Sequence, residues 1–152
     1  MKIDLTFRHA SIDDSRLIYQ LQIDETVRAN SFNQKLFSFN QHQKWFLERI
    51  DNEKFKFLIF TNDLNSEIGL VRFQILESQW LIGVIVAPDF RGKGLSKQMI
   101  RVALEWSYDF KKMSVIAQIK KSNIASVKAF KAAGFIFDKL ISEQAEQYKY
   151  EN

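Results

Sequence analysis

The 152-residue chain has no cysteine, one proline and five glycines. The missing cysteine excludes disulfide frameworks, thiolate zinc sites and cysteine nucleophiles together. No apolar run approaches the roughly 18 residues of a membrane span, and Met1-Lys2-Ile3-Asp4 lacks the apolar core of a signal peptide. A cytoplasmic protein with no membrane partner is the expectation. Repeats, low-complexity tracts and linkers are missing too, so residues 1–152 read as one domain. With 46% apolar and 26% charged residues, the composition is that of a soluble globular protein. A chain of this length buries about two-thirds of the surface that its unfolded form exposes, and no metal site is expected.

A strong excess of charge is also lacking, the net value being +4. Its distribution says more. Between Arg91 and Lys131 ten basic side chains stand against two acids, Glu105 and Asp109, while the rest of the chain is net acidic. About a third of the molecule therefore favours an anion.

Period-two alternation over Lys2-Ile3-Asp4-Leu5-Thr6-Phe7-Arg8 predicts a first strand. Ser11, with Asp14 three residues on, predicts a capping-box helix start. Asp24 to Phe39 has no sustained period and reads as a helical turn plus a long loop, and loops of that length tend to be functional. Asn40 to Asn52 fits an amphipathic helix. Strands are expected at Phe55–Phe60, Ile68–Leu76 and Gln79–Ala87, the last apolar on both faces and so central in a covered sheet. A helix follows, with Leu95, Met99, Val102, Ala103, Trp106 and Phe110 on one face. Then come a strand at Met113–Ile119, a helix from a Ser122 cap to Gly134, a strand from Phe135 and a short strand near Gln147–Tyr150. Three consecutive strands predict antiparallel pairing, and the strand–helix–strand unit after them predicts a parallel crossover, giving a mixed α/β sheet.

The turn between the buried strand and the long helix, Val86-Ala87-Pro88-Asp89-Phe90-Arg91-Gly92-Lys93-Gly94-Leu95-Ser96, holds two of the five glycines. Glycine admits positive φ and close approach to the backbone, and the first amides of a helix lack internal acceptors. Such a turn holds an anion, helped by the helix dipole and by Arg91, Lys93 and Lys97, so a phosphate or pyrophosphate is the expected guest. The dinucleotide pattern fails, because Lys97 stands where its third glycine belongs, and no P-loop occurs.

Arg91-Gly92-Lys93-Gly94-Leu95-Ser96 resembles the [QR]-x-x-G-x-[GA] coenzyme signature of the GNAT N-acetyltransferases, with Ser96 in place of the final Gly or Ala. Asn123, Ser126, Phe130, Gly134 and Phe135 fall on that family's second motif. The resemblance implies a single-domain α/β fold: a mixed, mostly antiparallel sheet flanked by helices, with a splayed pair of parallel central strands. It implies acetyl-CoA as co-substrate, with pyrophosphate on the amides from Gly92 to Lys97. The pantetheine arm would lie along Val84, Ile85 and Val86, with Asn123, Ser126 and Phe130 beside it. Many members carry a tyrosine where this chain has Phe130, and phenylalanine has no proton to donate.

Acceptor residues are expected in the N-terminal half. His42 has the side chain best suited to a base near neutrality, and Trp45, three residues on, shares its helix face. Glu77, at the turn between two central strands, is a second base candidate, and Arg28 and Arg72 could pair with phosphate or carboxylate. Arg28-Ala29-Asn30-Ser31-Phe32, His42-Gln43-Lys44-Trp45-Phe46 and Ile68-Gly69-Leu70-Val71-Arg72-Phe73 resemble family members that acetylate nucleotide-linked amino deoxysugars for bacterial surface glycans, as in pseudaminic acid synthesis. That resemblance places Asn30 and Ser31 with the acceptor and makes the partner a small-molecule amine. It leaves room for a homodimer. Alternatives are acetylation of a protein N-terminus or lysine, which would use an acidic groove, and a CoA-binding sensor without catalysis, motivated by Phe130. A nucleic-acid module is disfavoured, because Trp106 and Phe110 follow the helix's apolar face instead of interleaving with the basic residues.

Overall fold

A computed structural model of the protein describes residues 4–151. Lys2 and Ile3, part of the expected first strand, lie outside the described residues. The strands are β1 (Thr6–His9), β2 (Phe55–Thr61), β3 (Glu67–Leu76), β4 (Gln79–Val86), β5 (Val115–Lys120), β6 (Ile136–Ser142) and β7 (Ala145–Tyr150), in the sheet order β1-β2-β3-β4-β5-β7-β6. All neighbours are antiparallel except β4 and β5. The β3–β4 hairpin turns on Glu77 and Ser78, at φ 49° and 67°, the paired positive values of a tight two-residue turn.

The parallel pair touches at only two positions, Trp80 with Val115 and Leu81 with Ile116. Beyond Leu81, β4 bonds to β3 alone, from Ile82–Phe73 on to Val86–Gly69. The strands diverge, and the free flank of β4 opens a V in the middle of the sheet. This accounts for a mixed burial pattern in a run that is apolar throughout: Trp80 and Ile82 are buried, whereas Val84, Ile85 and Val86 are partly exposed.

Helices cover both faces. The Ser11–Asp14 capping box forms as expected and opens a single 3-10 turn that leads into α1 (Ser15–Ile23). Arg8 grips the same Asp14 carboxylate with two hydrogen bonds, of 2.7 and 2.8 Å. The segment read as a helical turn and loop contains α2 (Glu25–Ala29) and an extended stretch, and α3 (Phe39–Ile50) starts at a second capping box, Ser38 with Gln41. From α1 and α3, Ile18, Leu21 and Phe46 pack on Phe57, Ile59 and Leu70. On the other face α4 (Leu95–Phe110) and α5 (Ile124–Ala132) cover Leu58, Phe60, Val71, Phe73 and Trp80. Successive β2 residues thus enter opposite cores, which is why that strand is apolar at every position from Phe57 to Phe60.

Three local expectations need correction. The cap of α5 is Asn123, whose Oδ1 accepts the Ser126 amide at 3.3 Å, and not Ser122. The buried stripe of α4 includes Ile100, Leu104 and Ser107, because α5 packs against α4 and widens the covered face; Phe110 is 53% exposed and stacks on Trp106 at 5.1 Å. The last strand is longer than expected and lies between β5 and β6. Among the described residues no helix is long and apolar enough to cross a membrane.

Candidate active site

The V between β4 and β5 is the mouth of a cavity of about 690 Å³. Its walls gather residues far apart in sequence: Val84, Ile85 and Val86 from β4, Arg91, Gly92, Gly94, Leu95, Ser96 and Lys97 from the glycine turn and the start of α4, and Asn123, Ser126 and Phe130 around α5. Lys93 alone of the Arg91–Lys97 run does not line it; its Nζ lies 5.6 Å from the Phe90 ring centre instead.

Gly92 and Gly94 have φ of 76° and 72°, and no atom lies within 4 Å of where a Cβ would stand on either. Backbone conformation, not crowding, therefore selects glycine here. Gly94 is the N-cap of α4 and supplies no side-chain oxygen to its first amides. The space beside the turn and the uncapped amides together make an anion seat at the positive end of a 16-residue helix.

Arg91 is not the free counter-charge that the sequence suggests. Its Nη2 donates to Asp24 Oδ2 at 2.7 Å and its Nε to the Val86 carbonyl at 3.2 Å. Asp24 also accepts the Val27 amide at 3.2 Å and so caps α2. Burial alone would raise the Asp24 carboxyl, but the bonds from Arg91 and Val27 outweigh it and hold its pKa below the ordinary value. The ion pair ties the glycine turn to the segment that forms the far wall of the cleft.

A second cavity, of about 520 Å³, adjoins the first and shares Val27, Ser31, Phe32, Arg72 and Ile85 with it. Arg28, Trp45 and His42 line the second cavity, Asn30 lines the first, and Ser31 and Arg72 face both. No aspartate or glutamate lines either one. Arg72 rises from β3 with no carboxylate partner among the described residues, its guanidinium 6.0 Å from the Trp45 ring. Arg72 is exposed, opening onto the cleft; the protein packed around its base removes part of its hydration, and this, with the nearby charge of Arg49, lowers its pKa from the ordinary value.

His42 is 1% exposed, ringed by Tyr19, Phe37, Phe39, Trp45 and Phe46, and neither ring nitrogen has a hydrogen-bond partner. Burial lowers its pKa, and the Ser15 backbone offsets this only in part. Both nitrogens are closed off from the water of the cleft, so a proton reaches His42 only when the surrounding aromatic cage opens. Glu77 lines neither cavity. It is exposed in the β3–β4 turn, at the paired end of β4 and away from the splay.

Sequence reasoning missed Gln118 of β5, Lys128 of α5 and Lys35 of the extended segment as cavity walls, and Asp24 as the partner of Arg91. For Lys35 the long aperiodic stretch was a usable signal. For Asp24 there was none, since its partner is 67 residues away.

The family model described as acetyltransferase (GNAT) domain matches residues 4–136. Spermidine N(1)-acetyltransferase of Vibrio cholerae is 24% identical over 143 residues, which are 90% of this chain and 81% of that protein. An uncharacterised N-acetyltransferase of Bacillus subtilis, YobR, is 27% identical over 131 residues, 81% of this chain and 51% of its own length. Among solved structures, spermidine N-acetyltransferase from Vibrio cholerae in complex with CoA and spermine superposes with a TM-score of 0.87 at 19% identity, covering 96% of this chain and 94% of that one. A domain from Methanocaldococcus jannaschii also reaches 0.87, at 20% identity, covering 99% and 100%.

Proposed function

The chain belongs to the GNAT acetyltransferase family and is an N-acetyltransferase that draws its acetyl group from acetyl-CoA; we propose that residues 1–152 act as one such domain and that the acceptor is a small-molecule primary amine bearing negative charge, as a nucleotide-linked amino sugar does. One observation carries this reading: the second cavity, where the acceptor would enter, is lined by Arg28, Lys35 and Arg72, with aromatic walls and no carboxylate. Arginine presents planar paired donors to phosphate or carboxylate, and a ring such as Trp45 offers a stacking face.

In this reading the pyrophosphate of acetyl-CoA sits on the amides from Gly92 to Lys97. The pantetheine arm runs along the free flank of Val84–Val86 as an extra strand in the V. The Asn123 oxygen is taken by the Ser126 amide, which leaves its amide hydrogens to donate to the arm. The acceptor enters from the second cavity. Its nitrogen attacks the thioester carbonyl carbon, the C–S bond breaks, and the nitrogen loses its proton. The surrounding cations favour the neutral, nucleophilic form of the amine, because like charge disfavours the ammonium. His42 is the one imidazole in either wall; its nitrogens are closed off by the aromatic residues around it, so it takes the proton through water only when that cage opens. Phe130 leaves the thiolate without a side-chain acid, and with a thiol pKa of about 8.5 it departs and is protonated from solvent.

A second reading is a polyamine acceptor, favoured by the relatives named as spermidine acetyltransferases. A polycation would find no carboxylate in either cavity to pair with. An initial-rate screen with acetyl-CoA over amino-sugar nucleotides, polyamines and peptides tests the proposal. Turnover of an anionic amine supports it; turnover confined to polyamines or peptides refutes the acceptor assignment and leaves the acetyltransferase intact.

A further inference from the structure

Gln118 stands where the two parallel strands part. The β4–β5 pairing ends at Leu81 and Ile116, so alternation puts Gly83 and Gln118, each two residues further on, on one face and across the opening from one another. Gly83 pairs with Arg72 of β3, and a Cβ on Gly83 would stand 3.9 Å from Arg72 Nη2. Lys120, two residues beyond Gln118 on the same face, donates to the Ala29 carbonyl of α2 at 3.2 Å, so the end of α2 lies over this side of the V. Gln118 lines the first cavity there. With the pantetheine arm running from the glycine turn back along Val86 to Val84, as proposed, the thioester comes to lie beside Gly83 and level with Gln118.

A chain of hydrogen bonds gives Gln118 a direction. Its Nε2 donates to Gln147 Oε1 at 3.1 Å, and Gln147 Nε2 donates to Asp138 Oδ2 at 2.9 Å. Gln147 is buried, and Lys149 Nζ lies 3.8 Å from the other Asp138 oxygen. An isolated carboxamide can face either way, since it carries a donor and an acceptor of similar size, but a carboxylate only accepts. Asp138 therefore turns the Gln147 nitrogen toward itself, which turns the Gln147 oxygen toward Gln118. That in turn engages the Gln118 nitrogen and leaves Gln118 Oε1 for the cleft.

We propose that Gln118 Oε1 accepts a hydrogen bond from the attacking nitrogen of the acceptor, and that Gln147 and Asp138 are positioning residues that keep this oxygen toward the amine. This role rests on acetyl transfer in the V and is independent of the acceptor's charge. With one N–H held by Gln118, the lone pair of the amine is left to face the thioester carbon. As the C–N bond forms the nitrogen becomes positive, and a hydrogen bond from it to an oxygen strengthens, so the contact is worth most in the transition state. A neutral oxygen holds the amine without stabilising its ammonium form as a carboxylate would. Turned the other way, the Gln118 amide would donate to the lone pair and compete with attack.

Three variants test this, by initial rates with a nucleotide-linked amino sugar and with spermidine, by calorimetry of acetyl-CoA binding and by thermal unfolding. Gln118→Leu removes the oxygen. With each acceptor that the wild type acetylates, kcat should fall by about tenfold or more, the worth of one hydrogen bond to a group gaining charge, and the Kd for acetyl-CoA should stay within about twofold. Gln147→Leu cuts the chain and lets Gln118 turn, so kcat should fall several-fold with little change in acceptor KM. Asp138→Asn/Gln147→Glu moves the carboxylate one step along the chain. The new amide donates to it, it still accepts from Gln118, and kcat should stay at the wild-type level. A network that only held the strands together would alter Tm and leave kcat alone in every folded variant. Wild-type kcat in Gln118→Leu or Gln147→Leu, a loss confined to acetyl-CoA affinity, or a folded double variant as slow as Gln147→Leu would each overturn the proposal. If Gln118→Leu does not fold, Gln147→Leu decides, because it exchanges a buried polar side chain for an apolar one of similar size. The acceptor assignment depends on the ratio between the two amines, which these variants should not move, so the two readings fail separately.

Discussion

Arg91 Nη2 sits 2.7 Å from Asp24 Oδ2, joining the glycine turn to the cap of α2. Asp24 has two duties, and they can be separated. Asp24→Asn keeps a side-chain acceptor for the Val27 amide and loses the charge that holds Arg91; Asp24→Ala loses both. Steady-state kinetics should give a several-fold higher acceptor KM for Asp24→Asn with little change in Tm. Asp24→Ala should lose about 1 kcal/mol of stability in addition, the usual worth of a helix cap. Equal Tm losses in the two variants, with unchanged KM, would reduce the ion pair to a surface contact of little consequence.

Gly94→Asp should separate coenzyme binding from folding. Aspartate tolerates the left-handed conformation better than most residues and nothing stands near the new side chain, so the backbone strain at φ 72° should cost about 1 kcal/mol and lower Tm by only a few degrees. A carboxylate at the start of α4 repels a pyrophosphate, and the Kd for acetyl-CoA by calorimetry should rise by about tenfold or more, or roughly 1.4 kcal/mol. Unchanged affinity would move the anion seat elsewhere.

His42 makes stability depend on pH with a definite sign. Burial lowers its folded pKa below the ordinary 6.5, so as pH falls the unfolded chain takes up the proton first. Stability is therefore fully present above about 6.5 and is lost as pH falls from there to the folded value. His42→Phe, which suits the surrounding aromatic ring, should be neutral or stabilising at pH 7, since it removes two unpartnered buried nitrogens. The same variant should lower kcat/KM and flatten its acid limb. His9, also shifted down by burial and Lys56, titrates in both proteins, so the difference in urea-unfolding free energy against pH isolates His42. Identical pH dependence in wild type and variant would contradict the assignment.

Arg72→Gln should raise the acceptor KM by about tenfold and leave the melting shift produced by acetyl-CoA in place. For an anionic acceptor the wild-type KM should also rise with salt, as screening weakens the attraction to Arg72 and Arg28. A salt-independent KM would argue against charge recognition.

What the sequence made legible was local. The glycine turn, the α4 period and the Ser11 start depend on residues within a few positions, and β4 announces its central place by being apolar from Trp80 to Val86. Where two capping residues adjoin, as at Ser122 and Asn123, only backbone dihedrals decide which one caps. The burial of His42 was hidden because one polar residue on an amphipathic helix looks like part of its wet face. Its aromatic ring comes from α1, α3 and the extended segment between them, and so depends on how those helices dock. Asp24 and Arg91 meet for the same non-local reason, and the insertion of β7 between β5 and β6 is a matter of strand order that periodicity does not encode.

The most direct measurement is the ratio of kcat/KM for an amino-sugar nucleotide to that for spermidine, taken with the wild-type chain at one acetyl-CoA concentration and physiological salt. Cavities lined by arginine and lysine without a carboxylate predict a ratio of about ten or more, at least 1.4 kcal/mol of transition-state preference for the anionic amine. A ratio below one, with spermidine the better acceptor, would contradict the account.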